Sequence, residues 1–585
     1  MSLEAKDLYS AARNHNPGGY GIRGANGSIS IRKFTNSLDY SLDAIKLREV
    51  YETVMRNKRF TFKMGKKEYT TSIINIKFTY SYKLYNKSGK NCFIRDGYNF
   101  RDAVFIDCVW LKDGVLAGIQ TNTTVENKID DEFLGECFKY QNGVYVETGK
   151  NPVIMDRSEL REYLYKNGFV CDGVTYTRYK RSCGSSRVGK CLFVDARLSS
   201  RMEKWDKCGL AVKEGNEVDL AAWEAYISLP MSSIIGTIDI LPENILVIDD
   251  YDSVFEEEVV AVDDNGGVLR SEERRAEVSN SIWDGQSLMD TSLFEGEYQD
   301  KGMLLLRNQF FKTCAFNTNI QEWFEDNGIT EISQLNGYTK ATDIRDIKLI
   351  TTPNSIKYTK FGSVEQWLNN IGITFGVVKY EKKTHFFDGR MVQCHYQLLN
   401  TLQLSYDEME AVLKPSLDYI TQVKEDPDVL RFHISYPYDE MEITPLTSKN
   451  EIVFKMLGIN NKFAKTKLFA DFKNDLVKAF LRNLKQGHIL VEGNYSTLFG
   501  NGVEMLKQAI GRFDGTSEIG VGCVHTTNFA YGETVLGSRS PHILAGNILL
   551  ATNVANAKID KYFNLSDEIV CINSIGENIQ QRLNG

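Results

Sequence analysis

A guanidinium, two hydroxyls, an imidazole and a proline stand together in Gly537-Ser538-Arg539-Ser540-Pro541-His542, and Gly546-Asn547-Ile548 follows closely. Arginine and hydroxyl groups suit the oxygens of a phosphate or a ribose, because a planar fork of donors matches those oxygens in pairs. Pro541 holds the backbone just after the arginine at a set φ, so the fork is held in place. A surface loop that carries an arginine for solubility is the competing account of the same residues.

The elements that must position this loop are short. Apolar runs over His488–Val491, Ile543–Ala551 and Glu568–Ile572 are punctuated by Gly and Asn, the pattern of strands joined by tight turns. Further upstream, Trp283-Asp284-Gly285-Gln286-Ser287, Leu305-Leu306-Arg307-Asn308-Gln309-Phe310-Phe311-Lys312 and Pro353-Asn354-Ser355-Ile356-Lys357-Tyr358 form a second constellation.

These phrases resemble a known family. Arg539-Ser540-Pro541-His542 with Gly546-Asn547 resembles the R-x-P-x-x-H-x-G-D motif of eukaryotic silencing-type RNA-dependent RNA polymerases, and the R-A-P-T-L-H segment of cellular RNA polymerases. Here His542 directly follows Pro541, and Asn547 stands where the motif has Asp. The upstream phrases resemble D-G-x-G, Q-I-R-x-G-G-x-K-G and R-P-S-M-x-K-F of the same family, with Thr313 and Thr352 in place of a Gly and an Arg. The resemblance spans roughly Ser281 to Gly585 and is most similar to the single-chain, two-barrel polymerases of phages and mobile elements.

The resemblance implies an α+β, strand-rich chain built on double-psi β-barrels. An N-terminal mixed region over 1–225 precedes a complete first barrel over 226–400. A helical connector over 401–486 then leads to a partial second barrel over 487–585. It also implies Lys312, Lys357 and Arg539 as catalytic groups. Arg307, Lys360, Ser538, Ser540, His542 and Asn547 would contact substrate or nucleic acid. Two such lysines make physical sense, since phosphoryl transfer concentrates negative charge and its catalysis is largely positioning plus charge stabilisation. A strand-borne Lys312 beside Phe310 and Phe311 is expected to project into a dry site. The implied partners are a template, an RNA product and nucleoside triphosphates, and the implied cofactor is Mg²⁺ on a D-x-D-x-D triad. Asn573-Ser574-Ile575-Gly576-Glu577 leads instead to Leu583-Asn584-Gly585. The metal ligands are therefore expected on a further segment or a second chain, and 1–585 alone is expected not to polymerise. A catalytically dead or truncated nucleic-acid-binding scaffold is the alternative.

Composition bounds these readings. A chain of 585 residues with 42% hydrophobic and 25% charged residues is ordinary globular material, long enough for several domains. No apolar run approaches the roughly 20 residues needed to span a bilayer, and the first residues have no secretory pattern. Eleven cysteines without C-x-x-C spacing argue against a zinc site or a disulfide scaffold, which points to the cytoplasm. The net charge of −8 sits awkwardly with nucleic-acid binding unless positive charge is confined to one channel.

Elsewhere the patterns are weaker. Asn14–Gly19 is a turn cluster, Leu42–Arg56 has helical spacing, and Phe60–Lys83 alternates as strands do, with basic residues interleaved. Gly184–Cys191 nearly matches a phosphate-binding loop, yet Cys191 replaces the hydroxyl and a strand, not a helix, is expected after it. Leu220–Leu229 reads as a short helix, and 234–240, 244–248 and 254–262 read as strands. Asp249-Asp250-Tyr251-Asp252 reads as an acidic turn, not a metal site. Helical spacing recurs over Gln366–Ile371, Tyr406–Val423 and Lys449–Lys485, the last of these strongly basic.

Overall fold

The computed structural model describes the chain from residue 40 onward, apart from 58, 65–66, 79–83, 86–90, 93–107, 113–114, 120–137, 142–143, 148–152, 172, 188–189, 213–214, 216, 265, 384–386, 388–389, 436–448, 543–544 and 585. Before residue 40 it describes Leu3–Glu4 and Ile29–Ile31. The Asn14–Gly19 cluster, Lys58, Lys66 and Ile543 lie outside the described residues. Helices and strands mix throughout, giving an α+β chain of two compact units. One comprises Met1–Pro242, Leu305–Thr313 and Ile356–Lys379; the other comprises Glu243–Leu304, Cys314–Ser355 and Tyr380–Gly585.

In the first unit, helix Leu42–Met55 begins where the Ser41 hydroxyl accepts the Ala44 N–H at 3.2 Å, capping an otherwise orphaned donor. Its buried Leu47 and Val50 meet Leu198 and Met202 of helix Ala196–Asp206. Ile73, Leu192 and Val194 complete this core from strands Ile73–Phe78 and Lys190–Asp195, which pair antiparallel. The near-match to a phosphate loop is not one: its residues Gly184–Arg187 lie in a short helix, Cys183–Arg187, and Lys190 and Cys191 open the buried strand Lys190–Asp195. Helix Leu220–Ile227 forms as its spacing suggests, and strand Gly236–Asp239 pairs antiparallel with Thr374–Tyr380. Helix Val364–Asn370 is started by a reciprocal Ser363–Gln366 capping box and buries Trp367 and Leu368.

In the second unit, strand Gln286–Asp290 runs parallel to residues 314–318 and antiparallel to Leu349–Thr351. Ile245–Val247 pairs parallel with Leu349–Thr351 and antiparallel with Tyr338–Thr339. A five-stranded sheet follows in the order Thr497–Gly500, Ile569–Ile572, Cys523–His525, Ile548–Asn553, Thr534–Ser538. Parallel neighbours need a crossover between them, which is why helix Gly502–Ala509 and the loop after it intervene. Both groups of strands contribute to one core: Phe316 stacks on Phe499 with ring centres 4.1 Å apart, among Leu288, Ile350, Val503 and Cys571. Helices Tyr406–Glu425, Pro427–Ser435, Lys449–Ile459 and Lys467–Lys485 form a separate cluster around Val423, Leu430, Leu457 and Phe469. Among the described residues, no helix is long and apolar enough to cross a membrane.

Candidate phosphate-handling site

The residues singled out by the sequence divide between the units. Arg307, Lys312, Lys357 and Lys360 lie in the first; Ser538, Arg539, Ser540, His542 and Asn547 lie in the second.

In the first unit a tight turn sets the geometry. Strand Met303–Asn308 turns through Gln309 and Phe310 into strand Phe311–Thr318. Phe310 has φ 53°, a left-handed conformation that bulky residues avoid and that surrounding contacts must enforce. Those contacts are dense. The Asn308 amide donates to the Gly372 carbonyl at 2.7 Å, and the Gln309 amide donates to the Trp205 carbonyl. The Trp367 indole donates to the Gln309 carbonyl at 3.0 Å. Phe310 is fully buried against Tyr358 and Trp223, and Phe311 stacks on Trp367 at 5.3 Å.

This turn registers the two motif lysines. Phe311 bridges Ile356 in antiparallel fashion, and the Lys357 N–H donates to the Phe310 carbonyl at 2.7 Å. Lys312 follows Phe311 and Lys357 follows Ile356, so the bridge ties together the two segments that carry the lysines. Lys312 is exposed and Lys357 half-buried, so the face is wet; the dry site expected from the flanking phenylalanines is corrected by their turning inward. Strand alternation is the reason: Phe311 and Thr313 take the buried face and Lys312 the other. Arg307 is half-buried and donates to the Leu306 carbonyl at 2.8 Å, and Lys360 stands 5.5 Å from the Tyr226 ring centre.

In the second unit the arginine loop is stitched to the terminal helix Ile579–Asn584. Arg539, which is exposed, donates from Nη1 to the Leu583 carbonyl at 3.3 Å, and the Asn547 amide donates to the Arg582 carbonyl at 3.1 Å. Arg582 returns two bonds, to the Gly546 carbonyl at 2.9 Å and the Ile548 carbonyl at 2.6 Å. A cation near the last helical carbonyls also complements the helix dipole. His542 is buried; its N–H donates to the Gln397 side chain at 3.1 Å and its Nδ1 lies 3.4 Å from the Thr401 hydroxyl. Burial, reinforced by His395, lowers its pKa, so His542 is neutral at pH 7. Ser538 is exposed, and the buried Ser540 hydroxyl has no hydrogen-bond partner among the described residues. Arg539→Lys is expected to leave the melting temperature nearly unchanged, within about 0.5 kcal/mol, as an exposed substitution that keeps the charge. Thermal denaturation checks this, and a large drop would make the arginine a structural strut.

Two arrangements escaped the sequence. Lys180 is buried between Asp43 and Asp206, 2.8 and 2.7 Å from their oxygens, and also donates to the Ile227 carbonyl at 3.1 Å. The Tyr179 hydroxyl lies 3.3 Å from both carboxylates. Residues 43, 180 and 206 come from distant parts of the chain, so no local spacing announces them. The second is a polar depression of about 810 Å³ lined by Thr291, Glu295, Lys301, Asn317 and Asn564, which none of the motif residues lines. Asp249–Tyr251 is coil leading into strand Asp252–Asp264 where the sequence suggested a turn; Asp250 accepts the Asn354 N–H at 3.0 Å, and burial raises its pKa. Among the described residues, no three His, Cys, Asp or Glu side chains are grouped closely enough to hold a metal ion.

Comparison with known proteins gives structural likenesses only. No protein-family model matches the sequence, and no curated protein matches it either. The structure is similar to RNA dependent RNA polymerase QDE-1 from Thielavia terrestris, with a TM-score of 0.47 and 13% identity. That likeness covers 72% of this chain and 44% of the polymerase chain, so the chain spans less than half of that protein.

Proposed function

We propose that this chain belongs to a two-barrel RNA polymerase system, joining nucleotides from triphosphates to an RNA 3′ end under a template. In this reading Lys312 and Lys357 neutralise the triphosphate. Arg539 grips ribose or phosphate oxygens, and Arg307, Lys360, Ser538, Ser540, His542 and Asn547 contact substrate or nucleic acid. The observation that carries it is the antiparallel bridge Phe311–Ile356, which ties the two lysine-bearing segments together beside a tightly held turn. Two ammonium groups on these segments would offset the charge of neighbouring phosphates of one chain, since Lys acts on phosphate as a point charge.

Mg²⁺ does not fit the described residues, which supply no cluster of carboxylates to hold it. What these side chains do is bind, orient and offset charge, which is most of what phosphoryl transfer asks of a protein. The neutral His542, tied to Gln397 and Thr401, serves to orient the loop and carries no charge of its own.

The test is a ladder of ligands titrated into the full chain. Affinity is expected to fall from nucleoside triphosphate to diphosphate to monophosphate, because each phosphate removed takes charge from the lysine pair. Raising salt should compress the ladder. Equal affinity for all three would overturn the reading.

A further inference from the structure

Strands Asp252–Asp264 and Leu269–Ser281 pair along all 13 residues of each to form a two-stranded ribbon. Its base is anchored in the second unit: the Asn280 amide donates to the Ser574 and Glu577 carbonyls, and the Ser253 hydroxyl accepts the Gly576 N–H. Farther out, ion pairs within the ribbon join Arg274 to Asp263 and Glu272, and Arg275 to Glu256. One face is exposed along its length. It carries Val254, Val260 and Val262, the last two 61% exposed, interspersed with Glu256, Glu258, Glu273 and Glu277 and with one cation, Arg275. Nine acidic and three basic side chains give the ribbon a net charge of −6, against −8 for the whole chain. The acidity that sat awkwardly with nucleic-acid binding is thus concentrated on one arm.

The complementary surface is in the same sequence. Residues 449–485 hold nine basic and three acidic side chains, a net charge of +6. Where helix Lys449–Ile459 turns through Asn461–Lys465 into helix Lys467–Lys485, Ile459 is 80% and Leu468 63% exposed, and Met456 is exposed beside them. Exposed Lys462, Lys465 and Lys467 surround this apolar corner. Aliphatic side chains ringed by ammonium groups match, in both polarity and charge, valines ringed by carboxylates. Phosphate backbones match only the charge and leave the aliphatic corner in water.

We infer that the acidic face of the ribbon docks on the basic helical corner of a second copy of this chain. The contact is heterologous, since ribbon and corner are different surfaces, and it can be made reciprocally between two copies or passed along a series. Charge sets its register and encounter rate, and the buried valines, Ile459 and Leu468 supply the apolar contribution. A long ribbon with open edges is otherwise a poor element to leave in solution, which its charges already guard against.

Sedimentation of the full chain over a range of concentrations tests this. Mass is expected to rise with concentration at low salt and to fall back at ~1 M salt, where the Debye length is about 3 Å. Glu256→Lys with Glu258→Lys should give a monomer, as should Lys462→Glu with Lys465→Glu. Mixing these two variants should restore association, because each then meets a complementary surface on the other; circular dichroism confirms that both are folded. A parent chain that stays monomeric at every concentration overturns the inference. So does a corner that retards single-stranded RNA, lost in Lys462→Glu with Lys465→Glu, while the parent never self-associates. Neither result bears on the triphosphate ladder, which uses different residues.

Discussion

Lys180→Met is expected to destabilise the first unit by about 3–5 kcal/mol, the cost of leaving buried charge uncompensated. That is a large share of the roughly 5–15 kcal/mol that holds a domain together. The ammonium is almost wholly buried and gives its three donors to Asp43, Asp206 and the Ile227 carbonyl, so its loss strands two carboxylates away from water. Urea unfolding should show the midpoint shift. Adding Asp43→Leu and Asp206→Leu should recover most of it, because apolar replacement of a whole buried ion cluster is often neutral. A cost below about 1 kcal/mol for Lys180→Met would show that water reaches the cluster.

The same cluster sets a pH dependence. Two carboxylates share one ammonium, and burial pushes the Asp206 carboxyl up to about 7, against the opposing pull of Lys180; burial also raises Asp43. A carboxyl whose folded pKa lies above its unfolded value, about 3.9, holds a proton that the unfolded chain has released. Its stabilising contribution is complete below the unfolded value and is lost as pH climbs toward 7. Stability should therefore fall between about pH 4 and 7, and Asp206→Asn should flatten that slope. An unchanged slope in Asp206→Asn would place the titration elsewhere.

The second large effect is at the lysine face. Lys312→Ala with Lys357→Ala is expected to weaken nucleoside triphosphate binding by about 10²-fold or more, since a hydrogen bond to a charged group contributes about 1.5–3 kcal/mol and two are removed. The two side chains are neighbours on one phosphate chain, so the double change should fall short of the product of the singles. Lys204→Ala, an exposed lysine of helix Ala196–Asp206, is the control and should change nothing. Calorimetric titration reads both, and a double variant within twofold of the parent would remove the lysines from any substrate role.

Elements set by local rules were legible in the chain itself. Helix Leu42–Met55 follows from its apolar spacing and Ser41 cap, Tyr406–Glu425 from its Ser405–Glu408 box, and the first strand of the ribbon from its β-rich run over 254–262. The strand after Arg539, Ile548–Asn553, and the strand Lys190–Asp195 that rules out a phosphate loop follow from apolar runs between turn residues. The motif phrases named Lys312 and Lys357 as a pair, but what joins their two segments, some forty residues apart, is an antiparallel bridge and a left-handed Phe310 that no propensity favours. Tertiary structure alone placed Lys180 between Asp43 and Asp206, because charge pairing in a core depends on where three separate elements cross. It alone turned Phe310 and Phe311 inward and left Lys312 in water, because burial follows the face of the strand and not the residues that flank it in sequence.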